Sequence, residues 1–124
     1  MKKILAPGIL VLLMLNASLL EGQIIFKKEG KADLPANTIY IANRGTQSVK
    51  FSLSLDKNSW QTFQLTARTS GSAWTEAKDN RTIYIKVSSA GGNVEYPLQM
   101  QKRYQLYWNN NTRRWDVGEM RARG

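Results

Sequence analysis

SVKFSLSL, residues 48 to 55, is the stretch that decides the fold. Val49, Phe51, Leu53 and Leu55 fall on one side of an extended chain, and Ser48, Lys50, Ser52 and Ser54 on the other, because successive side chains of a strand point to opposite faces. An apolar face backed by a polar one is the pattern of an antiparallel sheet that packs on one side and meets water on the other. Turn-forming residues bracket it: Arg44-Gly45-Thr46-Gln47 before, Asp56-Lys57-Asn58-Ser59 after.

The same period runs outward from this strand. Thr38 to Asn43 carries Ile39 and Ile41 against Tyr40, and Trp60 to Ala67 carries Phe63, Leu65 and Ala67 against Thr62, Gln64 and Thr66. Arg81 to Ser88 turns Ile83, Ile85 and Val87 inward and Tyr84 and Lys86 outward. Ala90-Gly91-Gly92-Asn93 reads as a hairpin turn. It leads into Val94, Tyr96, Leu98 and Met100, a strand that Pro97 assigns to a sheet edge because proline donates nothing to a ladder. Arg103 to Asn109 places Tyr104, Leu106 and Trp108 on one face, and Arg113 to Val117 follows the turn at residues 109–112. Residues 68–80 have no clean period and read as a long loop or a short edge strand near Ala73 to Thr75. No helix is expected after the N-terminal segment. The whole predicts an all-β domain: a small antiparallel β-sandwich of immunoglobulin-like type with about seven or eight strands, a small β-barrel being the alternative.

Upstream, Lys2 and Lys3 precede an apolar run from Ile4 to Leu20, closed by Glu21 and Gly22. Positive, then apolar, then small or polar is the layout of a secretory signal. At about seventeen residues, with Pro7 and Gly8 inside it, the run is short for a stable membrane span. Residues 1–22 are therefore expected to be a signal peptide cut between 17 and 22, an uncleaved inner-membrane anchor through residues 4–20 being the alternative. Residues 23–118 form the single domain and residues 119–124 a basic tail. The chain has no cysteine, so no disulfide staples it and its apolar core must hold it together. That suits a bacterial periplasm or the exterior.

The net charge is +9. Removing Lys2, Lys3 and Glu21 leaves an excess of eight positive charges on residues 22 to 124. The excess is concentrated in Lys27, Lys28 and Lys31 and in Lys102, Arg103, Arg113, Arg114, Arg121 and Arg123. Such a surface attracts polyanions. Outside the cytosol these are lipid phosphates, anionic glycans or acidic proteins rather than nucleic acid.

With neither histidine nor cysteine, the chain lacks the Ser-His-Asp and Cys-His nucleophile sets and the usual zinc and copper ligands. Ser54-Leu55-Asp56-Lys57 has the S-x-x-K spacing of serine acyl enzymes, but sits at a strand end rather than on a helix. Asp56-Lys57-Asn58 opens like a calcium loop, yet Gln61 and Ala67 stand where glycine and glutamate are needed. Asp79 with Glu95, or Asp116 with Glu119, are the carboxylate pairs to consider for glycoside cleavage.

The positive signal is aromatic: four tryptophans and five tyrosines, residues whose flat apolar rings suit sugars and protein hot spots. Trp108 and Trp115 read as core residues facing each other across the last hairpin. Trp74, Tyr84, Lys86, Tyr107, Arg113 and Arg114 are the candidate binding surface. The expected function is a non-enzymatic, exported bacterial binding module that recognises another envelope protein through a sheet edge or an aromatic–basic surface. A glycan or lipid-phosphate module is one alternative, requiring Trp74 or Tyr107 to lie exposed beside a cation. An inhibitor or immunity-like protein that blocks an acidic cleft with Arg113 and Arg114 is the other. No cofactor and no metal are expected.

Overall fold

The computed structural model describes residues 23–28, 34–76 and 82–121; residues 1–22, expected to be a signal peptide, and Lys31, Asp79, Arg81 and Arg123 lie outside them. Nine strands follow one another: β1 (Ile24–Lys27), β2 (Thr38–Asn43), β3 (Val49–Ser54), β4 (Gln61–Leu65), β5 (Ser70–Thr75), β6 (Ile83–Ser89), β7 (Gly92–Leu98), β8 (Arg103–Asn109) and β9 (Arg114–Glu119). They form two sheets, β1-β5-β2-β8-β9 and β4-β3-β6-β7. The β2–β8 ladder is parallel and the other ladders between described strands are antiparallel. Two separate sheets make this a β-sandwich rather than a barrel. Among the described residues no helix is long and apolar enough to cross a membrane.

The alternation read from the sequence becomes the core. Phe51 and Leu53 of β3, Ile83, Ile85 and Val87 of β6, Ile39 and Ile41 of β2, and Leu106 of β8 are all buried between the sheets. Each such side chain contributes about 1.5–3 kcal/mol by leaving water. Phe26, Phe51 and Phe63 pack as a ring cluster with centroids 5.4 to 6.0 Å apart. Tyr104 is buried with its hydroxyl accepting from the Gln99 N–H at 2.8 Å. Burial pushes its pKa up.

Several expectations are corrected. The strand count is nine, because β1 was not foreseen and β5 is a full strand. β5 lies between β1 and β2, so it is neither a loop nor an edge. Its inward positions are Gly71, Ala73 and Thr75. At Gly71 there is no room for more, since a Cβ would strike the Phe26 ring and the Lys27 carbonyl. β9 runs through Glu119, which pairs with Lys102 at 3.3 Å, and the Met120 N–H donates to the Arg103 carbonyl. Pro97 lies in β7, an end strand of its sheet, as the missing donor requires.

Side chains occupy some backbone groups of the end strands β1, β9 and β4. The Gln61 amide donates to the Ile24 carbonyl and accepts from the Ile24 N–H, both at 3.0 Å, so it stands in for a neighbouring strand on β1. On β9 the Trp115 N–H donates to Ser89 Oγ and the Val117 N–H to Asp116 Oδ1. On β4 the Leu65 carbonyl accepts from Asn43 Nδ2. Capped edge groups discourage pairing with another chain's strand.

Candidate binding surface

Chain direction sorts the loops into two ends. The β2–β3 loop (44–48), the β4–β5 turn (66–69), the β6–β7 turn (90–91) and the β8–β9 turn (110–113) all lie at one end of the sandwich. These loops hold Arg44, Arg68 and Arg113, with Arg114 opening β9, and contain no Asp or Glu. Among the described residues, Asp116 lies two residues into β9 from this end, and its carboxylate accepts from Asn109 Nδ2 and the Val117 N–H. Of the other acids among the described residues, Asp56 and Glu76 lie in loops at the opposite end, Glu119 ends β9 there, and Glu95 is midway along β7.

Asn43 organises this end. Its side chain is 1% exposed. Nδ2 lies 2.9 Å from the Gln47 carbonyl and 3.1 Å from each of the Leu65 and Thr66 carbonyls, and Oδ1 accepts from the Gly45 N–H at 2.8 Å. One amide thereby ties the β2–β3 loop to the β4–β5 turn. The tip of the last hairpin is braced as well: Asn109 Oδ1 accepts from the Asn111 and Thr112 N–H groups, and the Arg113 N–H donates to the Asn109 carbonyl. Gly91 lets the β6–β7 turn lie against the Arg113 carbonyl.

Between these loops is a cleft of about 280 Å³ lined by Thr46, Gln47, Trp108 and Trp115. The two indoles are cross-strand partners with centroids 6.2 Å apart and planes 82° to each other, so they form a corner. Trp115 is half-buried and its ring tip seats over Gly45, where a Cβ would stand 2.6 Å from Cη2. Trp108 is 45% exposed. The expectation that Trp108 fills the core fails for a positional reason. It shares the inward face of Tyr104 and Leu106, but stands one residue from the strand end, beyond the reach of the opposing sheet. A second hollow, about 230 Å³, opens beside Arg44 and Arg68 with Tyr40, Thr69, Ser70 and Met120 among its walls.

The residues expected to form one surface are divided among three places. Tyr84 and Lys86 lie on the outer face of the four-stranded sheet. There Lys57 Nζ stands 4.7 Å over the Tyr84 ring and Lys86 Nζ 4.2 Å over the Trp60 ring. Trp74 and Tyr107 lie on the outer face of the five-stranded sheet. Trp74 is 37% exposed beside Ile25 and Thr38, with no cation opposite it in register. Tyr107 is half-buried against Asp116 and Gly118. Arg113 is exposed at the hairpin tip, whereas Arg114 is half-buried with its guanidinium at Gly92 and its Nε buried without a hydrogen-bond partner. Trp60, Trp108 and Arg44 were not singled out as binding residues. Proximity to turns was the available signal for them.

The residues considered for chemistry are engaged otherwise. Ser54 Oγ accepts from the Asp56 and Lys57 N–H groups and donates to Asp56 Oδ1, so the S-x-x-K spacing serves a turn. Asp116 and Glu119 are three apart on one strand and face opposite sides. Compared with known protein families, with curated proteins and with solved structures, the chain matches none of them.

Proposed function

We propose that this chain is an exported, non-enzymatic binding module of a bacterial cell envelope, delivered by the leader at 1–22, and that it recognises an anionic partner through its arginine–tryptophan end. One observation carries the reading: three loops at one end supply Arg44, Arg68 and Arg113, Arg114 opens β9 beside them, none of these loops holds a carboxylate, and the same end carries a cleft walled by an exposed indole. Clustered cations of one sign focus the field and steer an anionic partner to that end. Of the two routes expected for recognition, the surface is favoured over the β1, β9 and β4 edges, where side chains from Gln61, Ser89, Asp116 and Asn43 already occupy some of the groups that a partner strand would use. Within the surface, the loop end is favoured over the Tyr84–Lys86 face, where lysines already cover the rings.

Two variants of equal charge test this. Arg44→Gln with Arg113→Gln, and Lys57→Gln with Lys86→Gln, each remove two positive charges. Retention of the purified chain on immobilised anionic envelope polymers is expected to fall about tenfold for the arginine pair and to stay within about twofold for the lysine pair, with the wild-type difference shrinking in high salt. An equal fall for both pairs means that net charge, not this end, drives binding, and overturns the proposal.

A further inference from the structure

Resting on that reading, we infer that the Trp108–Trp115 cleft is a subsite for one pyranose ring of an acidic oligosaccharide, with the chain's carboxylates lying along the arginine rim. The cleft chemistry favours a sugar over an acidic peptide. Two indoles at 82° offer apolar faces for the C–H side of a ring. The remaining lining, Thr46 and Gln47, is neutral and carries a hydroxyl and an amide, which donate and accept. This matches sugar hydroxyls. Glutamate or aspartate side chains would want cations in the cleft itself, and none lines it.

Size points the same way. At about 280 Å³ the cleft is below the usual ~300 Å³ lower bound of small-molecule sites, so it holds one ring and the rest of an extended ligand must run outside. Outside are Arg44, contiguous with the Gly45–Gln47 wall, and the exposed turn of Asn110, Asn111, Thr112 and Arg113. These supply amides and a hydroxyl for further sugar hydroxyls and guanidinium groups for carboxylates, which arginine binds in bidentate fashion. The cleft is also built in advance: Asn43 holds the Gln47 carbonyl and the Gly45 N–H, and Asn109 braces the hairpin tip. A peptide would more readily exploit an open strand edge than this aromatic corner.

The test titrates the purified chain, by calorimetry and tryptophan fluorescence, with a galacturonate pentasaccharide, a neutral pentasaccharide and poly-L-glutamate. The uronate is expected to bind at least about tenfold more tightly than the neutral sugar, and poly-L-glutamate not to displace it. Trp108→Ala is expected to weaken the uronate at least about tenfold, while Trp74→Ala, which removes another exposed indole, changes it less than about twofold. If poly-L-glutamate binds as well as the uronate and Trp108→Ala changes nothing, the sugar subsite is wrong and the anionic-partner reading stands. If the neutral sugar binds as tightly as the uronate, the acidic ligand is wrong. If neither anion binds, both readings fall.

Discussion

The molecule carries two groupings of cations and aromatic rings, and they are put together differently. On the outer face of the four-stranded sheet, Lys57 and Lys86 lie directly over Tyr84 and Trp60, and the Trp60 indole N–H donates to the Lys57 carbonyl. Those pairs are worth about 0.5–1 kcal/mol each at an exposed site, and they leave those rings covered. At the loop end, Trp108 and Trp115 stack edge to face on each other instead, and Trp108 keeps nearly half its surface in water. The first arrangement satisfies its own aromatics and stabilises the fold; the second leaves the Trp108 indole open at an end whose loops 44–48, 66–69 and 110–113 carry arginine and no carboxylate. Each grouping also has one polar side chain as its hub. The loop end has buried Asn43, and the lysine face has exposed Asp56, whose turn delivers Lys57. Perturbing the hubs therefore separates the two roles.

The largest effect is expected at Asn43. Asn43→Ala leaves the buried Leu65 carbonyl and the part-buried Gln47 carbonyl and Gly45 N–H without this partner, while the Thr66 carbonyl keeps the Thr69 N–H and hydroxyl. Unpartnered buried polar groups cost roughly 1–3 kcal/mol each before relaxation. A net loss of roughly 2–4 kcal/mol in urea unfolding is expected, since the loops can rehydrate some of them. A loss under about 0.5 kcal/mol would mean that the loops hold their shape without the amide, and that the claimed preorganisation is wrong.

Gly45→Ala is expected to separate binding from stability. The new methyl meets Trp115 Cη2 and, at 3.3 Å, Asn43 Oδ1. The ring tip can swing toward solvent because Trp115 is only half-buried, so overpacking costs roughly 1–2 kcal/mol here. The cleft corner is lost in the same movement. Uronate affinity is expected to fall about tenfold with a changed tryptophan emission, while the lysine-face pairs stay in place. Unchanged affinity would show that the angle between the indoles does not matter to the ligand.

How far these features were legible in the sequence depends on what set them. Strands with a full apolar face, such as β3 and β6, were plain because burial on one side imposes the period. β5 was hidden because its inward positions are small and carry no hydrophobic signal; at Gly71 Phe26 takes the room. β1 was hidden because Ile24-Ile25-Phe26 does not alternate and adjoins the apolar leader. Its edge is closed by Gln61, thirty-seven residues away. The site was legible only in kind. An excess of arginine and tryptophan was visible, but their convergence depends on the direction of every strand. Composition gives no hint that Trp108 lies past the end of the core, or that lysines occupy the rings of Trp60 and Tyr84.

The smallest effect, and the one that sharpens the comparison of hubs, is a pH dependence confined to the lysine face. The Asp56 carboxylate accepts from the Ser59 N–H at 2.9 Å, the Asn58 N–H at 2.8 Å and the Ser54 hydroxyl at 3.0 Å. These bonds favour the charged form and hold its pKa below the usual carboxylate value, the Ser59 N–H having the largest effect. A group whose folded pKa is depressed contributes stability above its unfolded value, near 3.9, and loses it as pH falls through the folded value. Asp56→Asn keeps the acceptor oxygen but not the charge. The variant should therefore be slightly less stable than wild type at neutral pH, with the gap closing as the solution is acidified below the ordinary carboxylate range. Urea midpoints measured at neutral pH and in strong acid read that gap, and a gap that widens in acid would reverse the assigned sign. Uronate binding at neutral pH should be unmoved by the same substitution, because the turn it loosens carries Lys57 and Trp60 and none of the cleft. A tenfold loss of affinity would tie the two groupings together and undo the distinction between them.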